Sequence, residues 1–127
     1  MKINYNDRIF RPVSNSEAGE AGGDTVFRYR QDGSVVWADY SGGEILRGQL
    51  IAICDDEGRL DMRYQHINAR GELMTGVCKS MPEVLPDGRV KLHEEWRWTS
   101  GDMSAGESVV EEVGGESPGA SMNSLTV

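Results

Sequence analysis

Ile51-Ala52-Ile53-Cys54-Asp55-Asp56-Glu57-Gly58-Arg59-Leu60-Asp61-Met62-Arg63-Tyr64-Gln65-His66 is two stretches of alternating character joined at Glu57-Gly58. A period of two is the pattern of a half-buried strand, and a short glycine turn folds such a strand back as an antiparallel hairpin. Similar turns stand at Asp32-Gly33, Gly42-Gly43, Arg70-Gly71 and Asp87-Gly88. Strands are predicted over Arg8 to Val13, Thr25 to Arg30, Val35 to Tyr40, Ile45 to Cys54, Leu60 to Asn68, Leu73 to Met81, Val90 to Trp98 and Ser108 to Val113. Valine, isoleucine, tyrosine and tryptophan recur in them, and no helical apolar period competes. The expected fold is all-β: an antiparallel meander of about eight strands closing into a small calycin- or lipocalin-like barrel, because closure removes exposed strand edges. An open bent sheet or a two-sheet sandwich is the alternative. Pro12 lacks a ladder donor, which suits an edge or a barrel seam.

Reading each turn as a two-residue hairpin fixes which side chains share a face. One face gathers Phe27, Tyr29, Val36, Ala38, Tyr40, Ile45, Ile51, Ile53, Met62, Tyr64, Leu73, Val77, Met81, Val90, Leu92, Trp96 and Trp98, and is expected to turn inward. Arg47, Gln49, His66, Asn68 and Thr75 fall on it too. In this register Arg47 lies opposite Asn68, while Gln49, His66 and Thr75 share a row. A buried guanidinium needs an anion, and no carboxylate occupies these rows. The expectation is therefore a small polar or carboxylate-bearing molecule bound at the barrel mouth. Arg47 and His66 would contact it, Gln49, Asn68 and Thr75 orient it, and Tyr40, Tyr64 and Trp98 enclose it. The mouth is the end that carries Gly42-Gly43, Arg70-Gly71 and the long loops Ser14 to Gly23 and Ser100 to Gly106. The other end is expected to be plugged, with Lys79 paired to Glu94 and stacked on Trp96. The alternative is a filled barrel in which the same polar residues form an internal network.

Val35, Trp37, Leu46 and Leu50 fall on the outer face as neighbours, a patch that calls for a cover. Ile3 and Tyr5 would supply one, and a second copy of the chain, forming a homodimer, would supply another. An oligomerising interaction module is accordingly the second functional reading. His93 is expected at the surface.

The 127 residues suit one domain, a barrel over 1–113 followed by a flexible tail over 114–127. The loop Ser14 to Gly23 is polar and is expected to carry no chemistry. A net charge of -8 and a pI near 4.7 work against nucleic acid or an anionic membrane surface as partners. The first residues lack the apolar segment of a secretion signal, so a cytoplasmic protein is expected. Cys54 and Cys78 are expected to be free thiols, with one strand and about 10 Å between them.

No catalytic motif, metal site or cofactor is found. His93-Glu94-Glu95-Trp96-Arg97 begins like a zinc-protease helix, but Arg97 stands where the second histidine is needed. Asp55-Asp56-Glu57-Gly58 opens like a calcium loop whose glycine comes too early. Cys78 and Ser80 are expected to face away from His66, leaving no nucleophile with a base. An enzyme using His66 as acid or base on a ligand held by Arg47 is a third reading.

Four segments carry a family resemblance: Asp61-Met62-Arg63-Tyr64-Gln65-His66, Gly71-Glu72-Leu73-Met74-Thr75-Gly76-Val77-Cys78, Pro86-Asp87-Gly88-Arg89 and Glu95-Trp96-Arg97-Trp98-Thr99-Ser100-Gly101-Asp102. Over about Ile3 to Val113 the chain resembles small bacterial proteins labelled N-acetylglutamate synthase. The label implies a bacterial acetyltransferase. Such enzymes hold a pyrophosphate at a helix N-terminus after a glycine-rich turn, an element this sequence does not offer.

Overall fold

The computed structural model describes residues 3–114; the expected tail lies outside the described residues from 115 onward. Eight strands follow one another as β1 (Ile9–Asn15), β2 (Val26–Asp32), β3 (Val35–Gly42), β4 (Ile45–Cys54), β5 (Leu60–Asn68), β6 (Leu73–Val84), β7 (Val90–Trp98) and β8 (Ala105–Glu112). Each pairs antiparallel with the next, and β8 returns to β1, so the meander is a closed barrel. Pro12 lies at that seam, beside a bulge between Pro12 and Ser14. Both cysteines are buried.

Odd-length turns set the register. At the β5–β6 turn, Asn68 N–H bonds Glu72 O at 3.0 Å and Gly71 N–H bonds Asn68 O at 2.9 Å, with Gly71 at φ 80. This is a turn followed by a left-handed bulge residue, a conformation open to glycine at little cost. Asn68 Oδ1 fixes it further by accepting from the Arg70 and Glu72 amides at 3.0 and 2.9 Å. Asp55 to Arg59 and Leu85 to Arg89 repeat the pattern of backbone bonds. Each of these loops is one residue off the two-residue reading, so each reverses the face of the strand that follows. A bulge between Tyr40 and Gly42, with another between Ile45 and Arg47, does the same to β4. Strand β4 from Arg47 onward and strand β6 are therefore inverted relative to expectation, while Ile45 stays inward as expected and β3, β5 and β7 are not inverted.

The corrections follow directly. Leu50, Ala52 and Cys54 point inward on β4, and Arg47, Gln49, Ile51 and Ile53 outward; on β6, Cys78 and Ser80 point inward, and Leu73, Val77, Lys79 and Met81 lie on the outer face. Lys79 sits opposite Asp61 and Glu95 rather than on Glu94. The plugged end holds Tyr5, Phe10, Tyr29, Val36, Leu60, Val90 and Leu92, all buried. Tyr5 is tied in by its hydroxyl, which donates to Gly58 O at 2.5 Å, and by its amide to Gln31 Oε1 at 2.7 Å. The N-terminal segment thus stoppers the barrel and does not cover the outer patch, where Trp37 remains 40% exposed.

Two inward glycines make room for the aromatic lining. Gly48 faces Tyr40 across β3–β4, and Gly76 faces Tyr64 across β5–β6. Each tyrosine ring lies against its glycine so closely that a Cβ there would overlap the ring. The rings consequently lie on the wall and leave the axis of the barrel open.

Candidate functional site

Successive rows of the inner face climb from the stoppered end to the mouth. Ser80, Glu94 and Ser108 are direct cross-strand neighbours on β6, β7 and β8; the next row holds Met62, Cys78, Trp96 and Gly106; above it come Leu50, Tyr64, Gly76 and Trp98, then Tyr40, Gly48 and His66. Within these rows lies a cavity of about 60 Å³, lined among others by Phe27, Tyr40, Tyr64, His66, Glu94, Trp96 and Trp98. One ordered water occupies about 15 Å³ on this measure, so there is room for about four waters or the head of a small ligand.

The floor of the cavity is polar. Ser108 Oγ donates to Glu94 Oε1 at 2.8 Å, and Ser80 Oγ donates to Glu94 Oε2 at 3.3 Å. Burial raises the Glu94 carboxyl to about 7, against the lowering effect of the two hydroxyls. The same desolvation, reinforced by Glu94, pushes the Cys78 thiol far up and leaves it a poor nucleophile. Burial likewise raises the Tyr40 and Tyr64 hydroxyls well above their usual range.

The roof is made by the loop between β1 and β2. Glu20 reaches from it over the mouth, with its Oε1 2.7 Å from His66 Nε2. Its Oε2 accepts from Asn68 Nδ2 at 3.0 Å and from the Arg70 guanidinium at 2.9 Å. Trp98 Nε1 donates to Ala18 O and Trp96 Nε1 to Asn15 Oδ1, both at 3.1 Å, which pins the same loop to the barrel. On its other side the His66 ring meets Tyr40, Nδ1 to Oη at 3.0 Å. The loop expected to carry no chemistry therefore supplies the acid that partners the inward polar cluster.

Of the eight expected site residues, the structure brings together Tyr40, Tyr64, His66 and Trp98 around the cavity. Asn68 is buried beside them and is committed to the turn and to Glu20. Arg47 and Gln49 are on the exterior, and Thr75 bonds Thr99 there at 2.7 Å. The first two are displaced by the β4 inversion and Thr75 by the β6 inversion. Without Arg47 in the interior, the reading of His66 acting on an Arg47-held ligand loses its anchor. Cys78 and Ser80 line the interior rather than facing away. Glu20, Glu94, Trp96 and Ser108 are the site residues that the sequence reading did not assign. His93 is exposed and paired with Glu83 at 2.9 Å. The described residues form no helix, so they contain none of the helix N-termini that hold the pyrophosphate in acetyltransferases.

A family model described as avidin-like protein matches residues 3–113. No curated protein matches the chain.

Proposed function

We propose, given that the chain belongs to the avidin-like family of calycin-type barrels, that it is a small-molecule-binding protein whose ligand sits between Glu94 and the β1–β2 loop. The observation that carries this reading is the unfilled interior: aromatic rings lie flat against glycines and leave space beside a polar floor. Small barrels of this strand number accommodate one small ligand. Tyr40, Tyr64, Trp96 and Trp98 wall the ligand, and the loop bearing Glu20 covers it.

Native mass spectrometry of freshly purified protein tests the reading. A co-purifying small molecule should be retained by wild type and by Arg47→Met, and lost from Trp98→Leu. Absence of any adduct, together with no thermal shift across a small-molecule library, overturns it. Retention that depends on Arg47 would place the ligand on the outer wall instead.

An interaction module remains the second reading because of the outer face. Val35 stands opposite Ile53 and Trp37 opposite Ile51, and all four are at least two-fifths exposed. Ile51 and Ile53 take the place expected for Leu50, which is inside, while Leu46 is exposed further along β4. Such a row supports self-association into a homodimer. Light scattering should give a dimer mass for wild type and half that mass for Trp37→Glu; equal monomer masses sink the homodimer.

A further inference from the structure

We infer that the ligand of the cavity carries a positively charged nitrogen, an organic ammonium group seated on Glu94 among the aromatic rings. This rests on the preceding reading that the cavity binds a small molecule.

The argument is a count of what the interior still has to give. Its hydrogen-bond donors, the Tyr64 hydroxyl excepted, are largely committed within the protein. Trp96 spends its indole N–H on Asn15 at the end of β1, and Trp98 spends its own on Ala18 of the β1–β2 loop. Ser80 and Ser108 donate to Glu94, and Asn68 donates to Glu20 and Glu72. His66 is held on both sides, by Glu20 and by Tyr40. No lysine or arginine lines the cavity among the described residues. An incoming carboxylate would meet two acids and few free donors, and would be desolvated without compensation.

The acceptors are not committed in the same way. A carboxylate has about four lone-pair positions, and the two serines occupy one on each oxygen of Glu94, so capacity is left over. Phe27, Tyr40, Tyr64, Trp96 and Trp98 add π-faces and edges around it. Phe27 stacks on Tyr40 at 4.7 Å, Tyr64 meets Trp98 at 5.7 Å, and Trp96 meets Trp98 at 5.6 Å. Aromatic faces attract a cation, more strongly once water is excluded, and a carboxylate beneath them supplies the counter-charge. Glu20 is satisfied by His66, Asn68 and Arg70, which leaves Glu94 as the carboxylate with spare capacity inside the barrel.

Butylammonium, 1-butanol and butyrate are the probes, read by tryptophan fluorescence and by thermal shift in wild type and Glu94→Gln. Butylammonium should bind wild type at least about tenfold tighter than either of the others, and Glu94→Gln should lose that preference while still folding. Equal or tighter binding of butanol or butyrate overturns the inference and leaves the binding reading intact. Undiminished butylammonium binding by Glu94→Gln likewise overturns it. If none of the three binds and no small molecule co-purifies, both the inference and the binding reading fall.

Discussion

Glu94→Gln should stabilise the protein by about 3 kcal/mol at pH 8 and leave it unchanged at pH 4. The wild-type carboxyl keeps its proton to about 7 in the folded barrel, against 4.5 for the ordinary group, and each unit of difference corresponds to about 1.4 kcal/mol. Below pH 4.5 both states are protonated and the group contributes nothing. Between 4.5 and about 7 the unfolded chain ionises first, so the native state binds more protons and stability falls as pH rises. Above 7 the loss is complete and constant. A glutamine has no charge to desolvate; its amide oxygen accepts from one of the two serine hydroxyls and its NH2 group donates to the oxygen of the other. Urea denaturation of both proteins at several pH values gives a difference curve, which isolates Glu94 from the exposed carboxylates that also titrate. A flat curve would mean that Glu94 is hydrated in the native state.

Phe10→Ala should cost about 3–5 kcal/mol, the range for truncating a fully buried aromatic side chain. Phe10 is 0% exposed and meets Tyr29 edge-on at 4.9 Å and Tyr5 at 6.5 Å, while Tyr5 and Tyr29 meet each other at 5.9 Å. These three rings form the stopper, and the Tyr5 bond to Gly58 O brings the N-terminal segment in with them. Removing one ring of the three leaves a void that Tyr5, held by its hydroxyl bond, is poorly placed to refill. Val13→Ala on the same strand is the control: Val13 is 58% exposed, and the change should stay within about 0.5 kcal/mol. Urea midpoints for the two variants decide the matter, and similar midpoints would show that the stoppered end does not anchor the fold.

The architecture was legible in the sequence because alternation and glycine turns are local signals. Three of the eight strands have the predicted ends, Ile45–Cys54, Leu60–Asn68 and Val90–Trp98. What failed was parity. A glycine after a charged residue, as in Glu57-Gly58, Arg70-Gly71 and Asp87-Gly88, marks either a two-residue hairpin or a longer turn with a bulge, and the two differ by one residue in register. The errors came in pairs, so β4 and β6 were inverted while β5 and β7 returned to phase. Tyr40, Tyr64, His66 and Trp98 were consequently placed correctly, whereas Arg47, Gln49, Thr75 and Leu50 were not. Glycine itself held the missing clue: Gly48 and Gly76 look like solvent-facing gaps until a tyrosine is set opposite them. Glu20 is invisible to periodicity because it lies in a loop. Its signal was the unmet need of His66 and Asn68 for an acid, combined with a loop from the same end that carries Glu17 and Glu20.

The β1–β8 seam has a kinetic consequence. Seven of the eight strand pairings join consecutive strands, whereas Phe10 pairs with Glu112 across almost the whole domain. Local hairpins zip first because their loop-closure entropy is small, and the distant pairing is completed last. Strand β1 meets β2 through only two residue pairs, Ile9 with Arg28 and Phe10 with Phe27, and its other edge is interrupted beside Pro12. It is therefore the stave that springs first: native-state breathing begins there, directly beneath the loop that roofs the cavity.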